Sequence, residues 1–275
     1  MATALWASRS TPQSLTDSAL KAAVGLWFAT VAVGQAAFLY HVLAFYSPST
    51  LSEHFEAWAK NPDPIKGYVA GVGNLFFAIH VVLAAIMTFG GAPQLIPQIR
   101  SLAPSFHRWN GRIFLGAATA ASLAGFYTVW FRGASLDLVG ALASSLNVVL
   151  VIAFGLLAWR AVLAGEAATH RRWVLRTFLA ANGVWFTRVW VFGWMMLNGG
   201  PVGVTGRMDG PVNYVIDFGC YLLPLAVLQL YLWVKDRADP AARAAMAGLL
   251  LALTAFMVVG IVGFGALSAK MLAGI

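Results

Sequence analysis

The stretch LDLVGALASSLNVVLVIAFGLLAWRAVL, Leu136 to Leu163, decides the class of fold. It is apolar along nearly its whole length, with Asp137 and Arg160 near its two ends. A helix needs roughly 20 such residues to cross the ~30 Å hydrocarbon core of a bilayer. A transmembrane β-strand would alternate apolar and polar residues over about ten positions, and this block does not alternate. Lipid offers no partner to open backbone groups, so a helix is the expected form.

Six further blocks of the same kind surround it: Leu20–Tyr46, Gly67–Gly90, Gly111–Phe131, Trp173–Leu197, Tyr214–Val234 and Ala244–Leu272. The sequence therefore predicts an all-α integral membrane bundle of seven transmembrane helices. Residues 1–19 form an N-terminal segment and 20–272 a single domain. Hydrophobic residues make up 60% of the chain and charged residues 10%, where a soluble domain carries about 25% charged. Mean hydropathy is +0.76. Seven spans consume nearly all of the 275 residues, so a sizeable soluble domain is excluded. The first apolar run is too long for a cleaved signal, whose core is about 7–15 residues, and reads as a retained anchor.

Basic residues orient the bundle. Of the 18 Lys and Arg, 12 fall on the side shared by the N-terminus and the second, fourth and sixth connections, five fall on the other, and Arg188 lies inside a span. Short cytoplasmic loops are the basic ones, which predicts an inside N-terminus and an outside C-terminus in a bacterial cytoplasmic membrane. The net charge of +8 hugs helix ends and forms no patch. Anionic lipid headgroups at the inner face are the expected partners, and nucleic acid is not.

Several chemistries are excluded. Cys220 is the single cysteine, so an intramolecular disulfide, a CxxC pair, a Cys-based zinc site and an iron–sulfur cluster are ruled out; it reads as a small buried hydrophobe. There is no P-loop, GxGxxG, HExxH or GxSxG. Lys270 is the last span's only lysine and stands near its outer end, which excludes a retinal Schiff base. No enzyme class follows from the sequence. Among the connections, Tyr46–Lys66 is the longest outer one, with an amphipathic turn at Leu51, Phe55 and Trp58. Gly90–Arg112 is the longest inner one, chopped by Pro93, Pro97 and Pro104, and Asn198–Asn213 reads as an irregular outer loop.

One phrase is written twice. HRWNGR begins at His107 and HRRWVLR at His170, 63 residues apart, each at the inner start of a span that runs outward. Arg at inner ends and Trp at headgroup level account for much of this. They do not account for His leading both clusters, and a parallel repeat of two-helix units is the other reading.

GGAPQLIPQIR from Gly90, HRWNGRIF from His107, AATHRRWVLR from Ala167 and the membrane arginine Arg188 together resemble the bacterial membrane proteins grouped as domain of unknown function 2306. The resemblance covers roughly residues 74–188. His80, Pro93, Arg100, His107, Arg108, Gly111, Arg112, His170, Arg171, Trp173, Arg176 and Arg188 carry it, and Val174 departs from it where Met is expected. It implies a multipass membrane protein and supplies no activity.

An ionisable group inside a membrane marks a functional site by default. At 1.5 Å per residue, His80, Arg188, Asn147 and Asn182 fall ~20, ~14, ~16 and ~23 Å from the outer end, a single buried polar layer. Helix–helix glue is the bland reading of the two asparagines. Arg188 demands a specific partner. Asp217, ~5 Å from the outer end of its own span, is within reach of a snorkelling arginine. His41 and His54 read as wet, interfacial histidines.

Two functions of different class follow. In one, His107 and His170 ligate a b-type heme at the inner face of a heme- or quinone-linked redox protein, with His80 a third candidate ligand too deep to share the iron. In the other, a transporter or small-ligand-binding protein recognises an anion or a proton-coupled substrate through Arg188, Asp217, Asn147 and Asn182. An assembly protein without chemistry is a third.

Overall fold

The computed structural model describes residues 12–51, 72–131, 137–206, 208–236 and 239–273, and its regular elements are all α-helices. They are α1 (Pro12–Leu51), α2 (Val72–Gln94), α3 (Pro97–Leu102), α4 (Pro104–Phe131), α5 (Leu138–Leu163), α6 (Ala167–Ala181), α7 (Gly183–Leu197), α8 (Pro211–Lys235) and α9 (Pro240–Leu272). Six of these, α1, α2, α4, α5, α8 and α9, are long and apolar enough to cross a membrane.

The fifth expected span, Trp173–Leu197, is instead two helices of 15 residues parted at Asn182, whose φ of −91° and ψ of 13° leave the helical region. Each half is ~22 Å long. The signal was the Asn182–Gly183 pair, a turn-forming dipeptide inside an apolar run. The connection Gly90–Arg112 also differs from expectation. Pro93 lies within α2, while Pro97 and Pro104 open α3 and α4. Proline in a first turn has no needed N–H to lose, so these residues start helices and do not merely break them. His107 and His170 consequently lie inside α4 and α6, not at loop junctions. Likewise α1 begins at Pro12, ahead of the expected Leu20.

Two ends of the bundle can be told apart. The starts of α1, α4, α6 and α9 share one, here the basic end, where Arg172 pairs with Asp236 at 2.8 Å and Arg243 with Asp17. The far end holds the Asn198–Asn213 loop, which is irregular as expected, with positive φ at Gly199, Gly203 and Met208. Around the bundle α1 packs on α2, α2 on α4, α4 on α5, and α9 on α1. The broken helix runs through the middle on a slant: α6 packs against α5, and α7 against α9.

Glycine makes the second contact. A Cβ at Gly260 of α9 would lie 2.2 Å from the Val189 carbonyl oxygen of α7, so no larger residue permits this approach. Small residues are the usual device for close helix packing in lipid, where burial alone drives little. The core around α6 and α7 holds Phe114, Phe178, Trp185, Phe186, Val189 and Tyr221, and the Tyr221 hydroxyl donates to the Ala143 carbonyl at 3.0 Å. Cys220 is buried, as expected of a small hydrophobe.

His41 corrects another expectation. It is 6% exposed, not wet, and its Nδ1 lies 2.7 Å from the Ser268 hydroxyl oxygen between α1 and α9. A polar partner on the neighbouring helix removes its need for the interface. His54, Phe55 and Trp58 lie outside the described residues.

A polar cavity between the helices

Because α7 leans onto α9, space is left on its other side. A cavity of about 380 Å³ opens there among α1, α2, α4, α5, α7 and α8. His80, Asn147, Asn182, Arg188 and Asp217 all line it. The four residues that helical rise placed in one layer, His80, Asn147, Asn182 and Arg188, thus meet at one space, and Asp217 joins them from α8.

Each side chain is held differently. His80 Nδ1 donates to the Ala121 carbonyl at 2.8 Å across the α2–α4 contact. Gly125 makes room for the ring: a Cβ there would stand 3.3 Å from it. The Arg188 guanidinium reaches back one turn to the Val184 carbonyl at 3.0 Å and lies over the Phe38 ring, 4.9 Å from its centroid. Asn182, at the break, accepts a hydrogen bond from Gln35 Nε2 at 2.8 Å and donates from its own Nδ2 to the Phe178 carbonyl at 2.7 Å. Asn147 Oδ1 is buried and makes no hydrogen bond among the described residues. Asp217 is half-buried on α8, near enough to Asp137 for the two carboxylates to repel.

Sequence reasoning missed part of this wall. Asp137 lines the cavity and also caps α5, accepting from the Gly140 amide at 2.9 Å; an acid just before an apolar run is the signal for such a cap. Thr88, Thr128 and Thr187 line it too, each with its hydroxyl donating to the carbonyl four residues back, on Ala84, Ala124 and Gly183. Gln35, 2% exposed, was hidden within an apolar block and found only by its bond to Asn182.

The twin clusters lie elsewhere. His107 is within electrostatic reach of both Arg100 and His170, so the two leading histidines do approach one another at the basic end. His107 Nδ1 is buried without a hydrogen-bond partner, and its carbonyl accepts from Gln94 Nε2 at 3.2 Å. His170 Nδ1 donates to the Ala158 carbonyl at 2.9 Å. His80 belongs to the cavity and does not join them. Neither His107 nor His170 lines that cavity. In both clusters the arginine one turn after the tryptophan lies over its ring: Arg112 on Trp109 at 4.9 Å and Arg176 on Trp173 at 4.8 Å. The repeated phrase is thus a repeated structure, a tryptophan roofed by a cation. Among the described residues there is no group of three or more His, Cys, Asp or Glu side chains able to hold a metal ion.

A second, smaller cavity of about 140 Å³ lies on the opposite side of the broken helix, toward the basic end, where α6 has leaned away from α9. Trp27, Leu175, Phe178, Trp190, Leu223, Leu253 and other apolar residues line it.

The family model of DUF2306, described as a predicted membrane protein, matches residues 77–232, more than half of the chain. The match takes in the cavity residues from His80 to Asp217 and both clusters. No curated protein and no solved structure matches the chain.

Proposed function

The chain belongs to the DUF2306 family of predicted membrane proteins, and from that premise we propose that it is a small-ligand-binding membrane protein, a transporter or receptor, whose ligand occupies the polar cavity. One observation carries this reading: His80, Asn147, Asn182, Arg188 and Asp217 converge on one space of about 380 Å³. That volume falls in the range of small-molecule sites, roughly 300–1,000 Å³. Polar groups at such depth are costly unless they serve a site. In this reading α6 and α7 together make a seventh span. The basic end faces the cytoplasm and anionic headgroups, and the far end and C-terminus lie outside. Broken helices that line a cavity near mid-membrane are a recurring feature of transporters.

Heme has less behind it. Arg100 stands within electrostatic reach of His107, so the field there favours an anion over a metal cation. His80, the third candidate ligand, faces a different space.

The test uses Ser144→Cys, on the cavity wall, in a Cys220→Ala background. A dialysable extract of bacterial small molecules is expected to slow modification of that thiol by N-ethylmaleimide in a saturable way. A thiol modified equally fast with and without the extract would remove the small-ligand reading.

A further inference from the structure

We infer that a ligand enters this cavity from the far end, past Met208, whose side chain is a releasable plug. The inference rests on the small-ligand reading above and deepens it, by naming how that site is closed and opened. The two ends of the cavity are sealed in different ways.

Toward the basic end the floor is interlocked. Phe114 and Phe178, each 2% exposed, lie one turn below the lining residues Ala118 and Asn182. Their ring centroids are 6.5 Å apart, and a Cβ at Gly91 would stand 3.0 Å from one ring and 3.2 Å from the other. Rings packed this closely do not part without disturbing the core. Toward the far end the cavity runs up between Thr128, Gly140 and Asp217, in the far-end turns of α4, α5 and α8. Met208, from the Asn198–Asn213 loop, stands on the wall with them.

That loop holds its neck firmly and its tip weakly. At the neck the Val212 amide donates to the Gly203 carbonyl at 3.1 Å. The chain passes so close there that a Cβ at Gly210 would lie 2.3 Å from the same carbonyl oxygen. Asn213, fully buried, accepts on its Oδ1 from the Thr205 amide at 3.0 Å and the Gly210 amide at 3.3 Å. None of these contacts calls for a methionine. Met208, nearer the tip, is the one non-glycine residue with positive φ among the described residues, at 59°. That conformation crowds Cβ against the following carbonyl, and glycine adopts it freely. The Met208 side chain is held by Asn213 Nδ2, which donates to Sδ at 3.2 Å, and a thioether is a weak acceptor. A strained backbone and a buried amide donor are thus both committed to keeping one flexible side chain on the cavity wall. Strain of this kind gathers at ligand clamps and switches. A plug so held swings away with little resistance while the neck stays closed, and the soft, unbranched methionine chain adapts to what passes it.

Opening is read by the rate at which N-ethylmaleimide modifies the Ser144→Cys thiol, in the Cys220→Ala background, in purified protein without added ligand. A minor open state is populated at up to about 10%, so removing the plug should raise that rate about tenfold. Met208→Gly removes the side chain and relaxes the backbone. It is expected to speed modification about tenfold and to keep or raise the melting temperature. Met208→Ala keeps the strained backbone and should speed modification as well, and it stands in if the glycine variant does not fold. A Leu253→Cys thiol, on the smaller cavity, should react at one rate with Met, Gly or Ala at position 208. An unchanged Ser144→Cys rate in both variants overturns the inference, because Met208 then closes nothing. A Leu253→Cys rate that rises in step overturns it too, because the whole bundle has then loosened. The dialysable extract separates the two levels. If it protects Ser144→Cys while the Met208 variants leave the rate alone, only the route is wrong; if it does not protect, the small-ligand reading fails and the plug inference with it.

Discussion

The two cavities flank the same broken helix, and their walls have opposite chemistry. The larger, on the α2–α4–α5 side toward the far end, gathers His80, Asn147, Arg188, Asp217 and Asp137. The smaller, on the α1–α8–α9 side toward the basic end, is lined by Trp27, Phe178, Leu223, Leu253 and their like. Both exist for one geometric reason: a slanted helix that touches α5 with its first half and α9 with its second leaves a gap opposite each contact. The gaps are not equivalent in energy. An apolar gap inside a membrane protein resembles the lipid around it, and hydrocarbon transfer between the two is worth little. A polar gap holds groups that lipid cannot solvate, so it must keep water or a ligand. Geometry made two spaces, and side-chain chemistry made one of them polar.

The strongest way to break this comparison is to move the helix that creates it. Gly260→Leu places a side chain against the Val189 backbone and forces α7 off α9 toward the polar cavity. Overpacking costs typically ~1–3 kcal/mol, and the upper end is expected here, because backbone is what must yield. Thermal unfolding in detergent measures it; a wild-type melting temperature would mean that α7 does not rest on α9.

The polarity of the larger space is sharpened by a double-mutant cycle on Arg188 and Asp217, which share its wall. Arg188→Ala and Asp217→Ala should each lower stability, with the double variant no worse than the worse single one. The expected coupling is about 1–2 kcal/mol, inside the range for residues of one network. Strict additivity would show that the two charges do not feel each other.

Asn182→Ala removes the acceptor of Gln35 Nε2 at the break. Hydrogen bonds between membrane helices average about 0.6 kcal/mol and reach about 1.7. A loss of about 1 kcal/mol is expected, mostly recovered when Gln35→Leu is added, since the buried amide then needs no partner. No recovery would place the role of Asn182 in the break and not in the bond.

The smallest effect belongs to the apolar side. Leu253→Ala widens the smaller cavity at a cost below about 1 kcal/mol, because lipid or neighbouring side chains fill the space without a transfer penalty. A loss as large as that of Gly260→Leu would mean that this gap, too, has a specific occupant.

Much of the polar cavity's lining was legible in the sequence, and the reason is geometric. Helical rise converts residue number into depth, so His80, Asn147, Asn182 and Arg188 could be assigned to one layer before any packing was known. Rise says nothing about which way a side chain turns. The sequence therefore could not tell that His80 would spend its proton on Ala121, or that three threonines would back-bond to their own helices. Those details decide what the wall offers. The break at Asn182 hid inside an apolar count that weighs Asn and Gly lightly. His41 and Ser268, 227 residues apart, became partners only through the packing of α1 on α9, which no local pattern announces. The twin clusters were readable as membrane-edge anchors, and the shared tryptophan–arginine roof was not foreseen; why histidine leads both has no further account in the contacts at that end.

The broken helix also bears on how the chain is made. A translocating segment is accepted into the bilayer one helix at a time on its own hydrophobicity. Ala167–Ala181 carries His170, Arg171, Arg172 and Arg176 within 15 residues, and each charge at a helix centre counts roughly 2.5–3.5 kcal/mol against insertion. Its other half, α7, rests on α9, which is made after it. Biogenesis must therefore hold an unfinished middle until α9 arrives. A chain stopped before Pro240 should carry six competent segments' worth of signal less one, and a far-end tag placed in the Asn198–Asn213 loop should become accessible from both sides of the membrane, where in the full chain it reports only one.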